Sequence, residues 1–519
     1  MLAAPTLGEL LAAAARAEPA APAFRCRDEV LDYAAWHDLS GRVAARLHDA
    51  GVRRGDVVGL WLPTTPFYLV AYLAAARLGA VTTGINVRYR RAEARHILQQ
   101  SGARALLHVD RWHGADLGDL VAGLRPELPR LESVFPFAAA DLVAGSGGVV
   151  ARFTAGSGRA PECDVAPDDP AAIVFTSGTT GVPKGAWYAH RNLMALAAIE
   201  TRRYPPGEVP IRRHLAAGLS FAHVGTMARI ALQIAHVAQS IVHDTFDPAL
   251  VLAEIERERL AHIGGIPTQI QMLLEHPDRP RRDLSSLRSV LLGGAPSSPA
   301  LIRRVAAELG VTVAVRYSST ETGIVTASLP EDPVERLVET VGRPTEGVEL
   351  RIVDDHNRPL PHGEVGEVVV RSPAIMRGYW RAPAATAATI DADGWVHTGD
   401  AGCLDADDYL RLKGRQSEMY IRGGFNVYPE EVENHLARHP DVARVAVVGV
   451  PDATLGETGW AFVVPRDAAA PPRLDDLRAF VGAEMAGFKR PDGLTIVDEL
   501  PVTAMFKVDR MALKARART

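Results

Sequence analysis

Eleven consecutive residues combine glycines, hydroxyl side chains and a lysine. Residues 175–185 read FTSGTTGVPKG, with three glycines, four hydroxyl groups and one lysine. Glycine permits positive φ and lets backbone N–H groups approach an anion closely, hydroxyl groups donate hydrogen bonds, and lysine adds a positive charge. Together these groups are suited to a polyphosphate, and the residues expected to bind it are Thr176, Ser177, Gly178, Thr179, Thr180, Gly181 and Lys184.

The spacing differs from that of the P-loop, in which four residues separate two glycines and a lysine follows the second one. Here two residues separate Gly178 from Gly181, and Val182 and Pro183 precede Lys184. A Ser/Thr/Gly-rich surface linker is the alternative interpretation. Because the apolar residues 171–174 predict a buried strand just before this stretch, we favour a loop at the carboxyl end of a strand, where ligands commonly bind.

Composition limits the class of protein. The chain has 519 residues, 47% hydrophobic and 23% charged, which predicts several globular domains. A net charge of −5 predicts no nucleic-acid partner and no general attraction to anionic membranes. Three cysteines without metal-ligand spacing suit a reducing compartment, so we expect a cytoplasmic protein. Residues 2–21 contain Glu9, Arg16 and Glu18, which predicts an amphipathic helix rather than a signal peptide or a transmembrane segment.

Lysine is rare in this chain, since arginine supplies nearly all of the positive charge. The lysines are Lys184, Lys413, Lys489, Lys507 and Lys514. Because lysine is rare on the surface of this chain, each lysine that is present is a stronger candidate for a role in catalysis or binding. Lys184 already belongs to the phosphate-binding stretch.

The elements that must position these residues follow an α/β rhythm. Residues from about 30 to 135 and from about 171 to 330 alternate apolar runs with helical patterns, and a weakly patterned stretch from about 138 to 170 predicts a linker or surface excursion between them. Short strands with Gly/Pro/Asp turns from about 340 to 412 predict a small β-barrel-like unit. The sequence predicts an N-terminal domain over residues 1–414, with subdomains of about 1–170, 171–335 and 336–414, and a small mobile α+β domain over 415–519.

Four further motifs accompany the glycine-rich stretch. They are YSSTETG at 317–323, GWVHTGD at 394–400, GRQSEMYIRGGFNVYP at 414–429 and PVTAMFK at 501–507. In order and approximate spacing the five motifs resemble those of the adenylate-forming enzymes, a superfamily that includes acyl- and aryl-CoA synthetases, firefly luciferase and peptide-synthetase adenylation domains. The resemblance runs from about residue 20 to 515 and is closest to the AMP-forming acyl-CoA synthetases.

This resemblance implies a reaction in two steps. A carboxylate attacks the α-phosphorus of ATP and releases pyrophosphate, and the resulting acyl-adenylate passes its acyl group to coenzyme A. The small C-terminal domain rotates between the steps, with its hinge near 415–418 at Ser417. Relatives usually have Asp or Lys at the hinge position, and Phe506 replaces the usual glycine before the lysine of the last motif.

The resemblance also assigns roles to single residues. Lys507 would bridge the carboxylate and the α-phosphate, Thr320 would bond the phosphate, and Glu321 would hold Mg²⁺, which prefers hard oxygen ligands. Asp400 and Arg415 would bind the ribose. The adenine would lie against the residues Tyr317, Gly294, Ala295 and Pro296. The alternatives are that Thr320 and Glu321 only begin or cap a helix, and that Lys507 is a solvated charge near the basic C-terminus.

Substrate and acceptor are less defined. The resemblance places His223, Val224, Arg316 and Ser318 in the acid pocket, and a strand with Gly423 and Gly424 beside the coenzyme A tunnel. Arg316 could meet a second carboxylate, although fatty-acyl relatives also have arginine there.

Three functions remain as alternatives. An acid:CoA ligase is the leading one. An enzyme that passes the activated group to a carrier-protein thiol or an amine, including diazotase-type nitrite activation, is the second, and a non-catalytic nucleotide-binding regulator is the third. The expected partners are a small carboxylic acid, ATP and coenzyme A, and the sequence leaves the choice between monomer and homodimer open.

Overall fold

The computed structural model describes residues 1–158, 161, 163–176, 183–202, 213–217, 220–503 and 507–517. Its α-helices are α1 (Leu7–Ala17), α2 (Tyr33–Asp49), α3 (Pro66–Arg77), α4 (Arg91–Ser101), α5 (Leu117–Leu124), α6 (Ala139–Ala144), α7 (Ser146–Phe153), α8 (His190–Arg202), α9 (Val224–Ala235), α10 (Pro248–Glu258), α11 (Pro267–Glu275), α12 (Pro299–Leu309), α13 (Val334–Leu337), α14 (Pro383–Ala387), α15 (Pro429–Leu436), α16 (Leu474–Glu484) and α17 (Arg510–Ala517).

The strands, in chain order, are β1 (Pro22–Cys26), β2 (Glu29–Asp32), β3 (Val57–Trp61), β4 (Val81–Gly84), β5 (Ala105–Val109), β6 (Arg111–Trp112), β7 (Ala115–Asp116), β8 (Ser133–Phe137), β9 (Pro170–Phe175), β10 (Gly185–Ala189), β11 (Arg213–Ala217), β12 (Gln239–His243), β13 (His262–Gly265), β14 (Ser289–Leu292), β15 (Thr312–Ser319), β16 (Gly323–Ala327), β17 (Arg343–Pro344), β18 (Glu349–Val353), β19 (Gly366–Arg371), β20 (Gly378–Tyr379), β21 (Val396–Leu404), β22 (Leu410–Arg415), β23 (Tyr420–Arg422), β24 (Phe425–Val427), β25 (Val442–Asp452), β26 (Gly456–Pro465) and β27 (Gly493–Ile496).

The strands of the large N-terminal part form four main sheets. Their strand orders are β20-β10-β9-β4-β3-β5-β8, β11-β12-β1-β2, β13-β14-β15-β16-β17 and β18-β19-β21-β22. The C-terminal part has its own sheet, in the order β24-β23-β26-β25, and β27 pairs with β26. This confirms the predicted α/β fold with a large N-terminal and a small C-terminal domain.

Hydrogen-bonded strands cross two of the predicted subdomain boundaries. β9, which begins at residue 170, pairs in parallel with β4, and β16 pairs with β17 across residue 335. β1 pairs in parallel with β12, so the start of the chain completes a sheet of the second segment. The boundaries near 170 and 335 therefore stay predictions.

The helix at the N-terminus is confirmed over a shorter range than the prediction. The Thr6 hydroxyl caps α1 by accepting a hydrogen bond from the Glu9 N–H at 3.3 Å. Leu7, Leu10 and Ala14 recur on one buried face, which is the spacing of an amphipathic helix. None of the helices in the described ranges is long and apolar enough to cross a bilayer.

The prediction of a linker or surface excursion over residues 138–170 is wrong for its first half. Residues 139–153 form α6 and α7, separated by Gly145 at φ 146°. Val149 and Val150 are buried, and the Phe153 ring packs edge-on against Phe67 and Phe135. The contacts of Phe153 with these two rings stabilise α7, whose own Gly-rich pattern is weak.

The parallel strands β13, β14 and β15 place their carboxyl ends at one edge of their sheet. The antiparallel pair β21 and β22 presents residues at the end of the neighbouring sheet. α15, in the C-terminal part, packs against β22 beside Gly414. Most of the polar side chains described next come from these places.

Candidate active site

Asp400 lies at the centre of a buried polar cluster. The register of β21 and β22 places Asp400 opposite Arg415, and the Arg415 Nε is 2.7 Å from the Asp400 Oδ1. The Tyr317 hydroxyl donates a hydrogen bond to the Asp400 Oδ2. Burial raises the pKa of Asp400 although the positive charge of Arg415 lowers it. The cluster thus holds one carboxylate, one guanidinium and one phenol in fixed positions.

Thr320 and Glu321 occupy the turn between β15 and β16, so the alternative that they begin a helix is wrong. The Tyr379 hydroxyl donates to the Glu321 Oε1 at 2.9 Å, and the Tyr188 hydroxyl donates to the Thr320 carbonyl oxygen. Sequence reasoning missed both tyrosines. Tyr188 lies on the strand that follows the glycine-rich stretch, and that proximity is the only signal in the sequence that points to it.

The two ends of the glycine-rich stretch are joined. β9 and β10 pair as antiparallel strands, and the Thr176 N–H donates to the Lys184 carbonyl oxygen at 2.9 Å. The Lys184 Nζ lies 5.2 Å from the centre of the Tyr379 ring, which also contacts Glu321. The middle of the stretch, with Ser177, Gly178, Thr179, Thr180 and Gly181, lies outside the described residues.

The residues expected beside the adenine follow the strand that pairs with the strand of Tyr317. Gly294, Ala295 and Pro296 follow the carboxyl end of β14, which pairs in parallel with β15. Gly294 has φ 80°, a conformation that other residues rarely adopt. The turn after β14 and Tyr317 on β15 therefore share one edge of the sheet.

Lys507 interacts with charges on both sides of the site. Burial lowers its pKa, and the cation of Arg415 lowers it further, while the carboxylates of Glu321 and Asp400 act in the opposite direction. Burial also lowers the pKa of His223 to about 4, and the charge of Lys507 contributes to that shift. The half-buried environment of Lys507 does not fit the alternative of a fully solvated charge.

A cavity opens beside β15 on the side of Arg316 and Ser318. Its lining consists of Leu196, Glu200, Val224, Gly225, Arg229, Leu232, Arg316, Ser318, Ser319, Gly323 and Ile324. Three of the four residues expected in the acid pocket are present in this set. His223 is instead the N-cap of α9, where its Nδ1 accepts a hydrogen bond from the Gly225 N–H at 3.3 Å.

Arg316 has a partner that the sequence did not indicate. Its Nη2 is 2.6 Å from the Glu200 Oε1, and the two side chains are only 10% and 7% exposed. Glu200 lies on α8, so a helix that follows the glycine-rich stretch supplies part of the cavity wall. An arginine whose charge is already balanced is poorly suited to bind a second carboxylate of the substrate.

Ser417 and the glycine pair lie in turns that follow β22. Ser417 is exposed in the turn between β22 and β23. Gly423 and Gly424, expected as part of a strand, form the two-residue turn between β23 and β24, with φ of 58° and 88°. Two consecutive positive φ angles suit a tight hairpin, which explains why glycine occupies both positions. The Gly423 N–H donates to the Leu455 carbonyl oxygen at 2.8 Å.

Comparisons with known proteins agree with this arrangement. Residues 11–380 match the family of AMP-binding enzymes, and residues 431–507 match the AMP-binding enzyme C-terminal domain. A ligase of Mycobacterium tuberculosis named for 3-[(3aS,4S,7aS)-7a-methyl-1,5-dioxo-octahydro-1H-inden-4-yl]propanoyl:CoA is 40% identical over 91% of each chain. Feruloyl-CoA synthase of an Amycolatopsis species is 34% identical over 97% of each chain.

Among solved structures, ATP-bound MatB from Rhodopseudomonas palustris matches with a TM-score of 0.87 and 28% identity, over 98% of this chain and 99% of that one. The two matched ranges include Thr320 and Glu321 in the large domain and Lys507 in the small domain, whereas Asp400 and Arg415 lie between them. The chain therefore belongs to the AMP-binding enzymes, within the adenylate-forming superfamily and near the acyl-CoA synthetases.

Proposed function

We propose that the chain activates a carboxylic acid with ATP, releases pyrophosphate, and transfers the acyl group to coenzyme A. The observation that supports this best is the position of Lys507. Its charge interacts with Asp400 and Glu321 on the nucleotide side and with His223 beside the cavity. Lys507 therefore lies between the nucleotide side and the cavity, where an attacking carboxylate and an α-phosphate would meet.

The polar cluster suits the sugar and base of ATP. Asp400 accepts hydrogen bonds, so its oxygens can receive the ribose hydroxyls, while Arg415 holds the carboxylate in place. Tyr317 and the turn of Gly294, Ala295 and Pro296 would enclose the adenine. Thr176 and Lys184, with the glycines and hydroxyls between them, would hold the β- and γ-phosphates. Such positioning and charge neutralisation are the main requirements of the displacement.

The residues fit Mg²⁺ only if the nucleotide supplies most of its ligands. Among the described residues there is no group of three or more His, Cys, Asp or Glu side chains that could hold a metal. Glu321 offers one carboxylate, with Tyr379 donating to one of its oxygens, and Mg²⁺ commonly binds through one or two carboxylates together with phosphates. When bound, the ion would neutralise phosphate charge, and Thr320 would donate to a phosphate oxygen.

Lys507 would act in the first step by stabilising charge on the reacting phosphate, because an interaction that strengthens in the transition state raises the rate. For the second step the small domain would rotate about Ser417, bring Gly423 and Gly424 towards the thiol, and remove Lys507. A small, exposed hinge side chain permits such a change of backbone angles.

The acid is proposed to be a bulky, mostly hydrocarbon one. The relative from Mycobacterium tuberculosis is named for a bicyclic propanoate and the one from Amycolatopsis for an aromatic acid. Aliphatic residues such as Leu196, Val224 and Leu232 give this cavity a compatible lining. A cytoplasmic location remains our expectation from cysteine usage.

The test is pyrophosphate release across a panel of fatty, aromatic and bicyclic acids, with and without coenzyme A, followed by mass analysis of the products. We expect acid-dependent release and a thioester when coenzyme A is present. Adenylate without thioester would favour transfer to a carrier-protein thiol or an amine. No release with any acid, or with nitrite, would favour the non-catalytic regulator.

A further inference from the structure

The acid cavity has a polar region within a largely aliphatic wall. Leu196 and Leu232 line it as hydrocarbon, whereas Glu200 and Arg316 line it as an ion pair. Arg229 also lines the cavity and has an interaction of its own. A buried ion pair often does not stabilise a protein, because the free energy of removing two charges from water can exceed their attraction. Such a pair in a binding cavity therefore suggests a role in binding.

One hydrogen-bond donor of the pair is unused. The Arg316 Nη2 contacts the Glu200 Oε1 at 2.6 Å, but the buried Arg316 Nε has no hydrogen-bond partner among the described residues. Buried donors without an acceptor are rare in folded proteins. An oxygen of a bound acid can supply that acceptor.

The charge balance restricts what kind of oxygen this is. Glu200 already compensates the charge of Arg316. Arg229 adds a second cation to the lining, but a second carboxylate at the Arg316 Nε would still lie next to the negative charge of Glu200. A purely hydrocarbon acid would leave the Nε donor without an acceptor. A neutral oxygen, as in a ketone or a hydroxyl group, meets both conditions.

The strand separates this polar region from the nucleotide. Adjacent side chains of a strand point to opposite faces. Tyr317 contacts Asp400 on the nucleotide side, and Arg316, the residue before it, contacts Glu200 on α8. The polar group that Arg316 meets would therefore belong to the acid and not to the nucleotide.

We propose that the Glu200–Arg316 ion pair is a specificity determinant that selects acids with a neutral oxygen remote from the reacting carboxylate, against both dicarboxylates and plain hydrocarbon acids. This inference rests on the proposed acid activation. It names a substrate class for the same site and assigns the pair a positioning role without part in the chemistry.

The test compares acids of equal size on two scaffolds. The first set is octanoate, the methyl ketone acid of the same chain length, and octanedioate; the second is the bicyclic dioxo propanoate and its counterpart without oxo groups. We expect kcat/KM for adenylation to be at least about tenfold higher for the oxo acids, since a site built to bond an oxygen discriminates against analogues that lack it. Equal or lower values for the oxo acids on both scaffolds would overturn the inference.

Glu200→Gln tests the charge balance directly. It leaves the charge of Arg316 uncompensated, so the ratio of kcat/KM for octanedioate to that for the oxo acid should rise about tenfold or more, with the KM for ATP unchanged. An unchanged ratio of the two kcat/KM values in a folded variant would mean that the ion pair does not determine which acid is bound.

The double variant Glu200→Leu with Arg316→Met is the matched control. Replacing both members of a buried pair by apolar side chains often preserves folding, so it tests the inference even if Glu200→Gln fails to fold. The preference for oxo acids should disappear in favour of octanoate, and its survival would contradict the proposal. If the wild-type protein adenylates none of the acids in the full panel, the proposed function itself fails.

Discussion

The two sides of β15 differ in how they treat charge. On the nucleotide side, Asp400, Arg415 and Lys507 form a dense charged cluster, and Glu321 lies close enough to influence it. On the acid side, the described residues pair Arg316 with Glu200 in a mostly aliphatic wall. The first side is arranged to receive an anion, whereas on the second side Glu200 already compensates the charge of Arg316, one of the two arginines in the lining. One strand can therefore separate ionic recognition of ATP from largely apolar recognition of the acid.

Removal of Lys507 should have the largest effect, which is a loss of adenylation on the nucleotide side. For Lys507→Ala we expect adenylation to fall by roughly 10³-fold or more, because the lysine is proposed to contact charge that develops in the transition state. Conversion of supplied acyl-adenylate to thioester should largely survive. Rapid-quench measurement of each half-reaction checks this, and equal losses in both would contradict the assigned role.

The hinge should separate the two half-reactions without affecting either binding side. Ser417→Pro restricts φ and should slow thioester formation by on the order of 10²-fold while adenylation continues. Ser417→Ala, which keeps the backbone free, is the control. Single-turnover measurement decides the matter: a proline variant that makes thioester at the wild-type rate would mean that transfer does not use this hinge.

Asp400→Ala should weaken recognition of the nucleotide but leave recognition of the acid intact. We expect the KM for ATP to rise by about 10- to 100-fold, since the ribose would lose its acceptor and Arg415 its partner. The relative kcat/KM values among different acids should stay the same. A changed acid preference with an unchanged KM for ATP would mean that Asp400 contributes to recognition of the acid and not of the nucleotide.

The smallest expected effect concerns the joint between the domains. Glu430 on α15 packs beside Gly414 of β22, and burial, with help from the negative charge of Glu433, raises the pKa of Glu430 to about 7. A carboxyl group with a raised pKa stabilises the folded arrangement fully below its ordinary value of 4.5, and this stabilisation is lost as the pH rises to about 7.

Glu430→Gln should therefore raise the midpoint of thermal unfolding by a few degrees at pH 8 and change it little at pH 5. The measurement is a pH series of thermal melts on both proteins. Parallel curves across the series would show that Glu430 is already solvated in this arrangement.

The contacts that could be predicted from the sequence join residues that are close along the chain, and those that could not be predicted join residues that are far apart. Asp400 and Arg415 lie in motifs 15 residues apart, and the register of one antiparallel pair joins them. Glu200 lies 116 residues from Arg316, and nothing in a helical pattern indicates that its carboxylate turns towards a distant strand. The nucleotide side could therefore be anticipated from motifs, although the roles of its residues stay predictions.

The fold shows the same division. The α/β alternation and the helix at the N-terminus follow from periodic apolar patterns and are confirmed. α7 could not be predicted, because Phe153 packs against Phe67, which lies 86 residues earlier in the sequence, and against Phe135 of β8. The hydroxyl contacts of Tyr188 and Tyr379 have the same origin, since they depend on how separate strands meet.

The parallel pairing of β1 with β12 has a consequence for biosynthesis. β1 ends at residue 26 and β12 begins at residue 239. A ribosome adds about 5 to 20 residues per second, so the first strand emerges roughly ten to forty seconds before its partner exists. During that interval β1 has only the hairpin with β2, and its other edge is open to incorrect pairing. The open edge of β1 is therefore most accessible to incorrect pairing while the chain between these two strands is being synthesised.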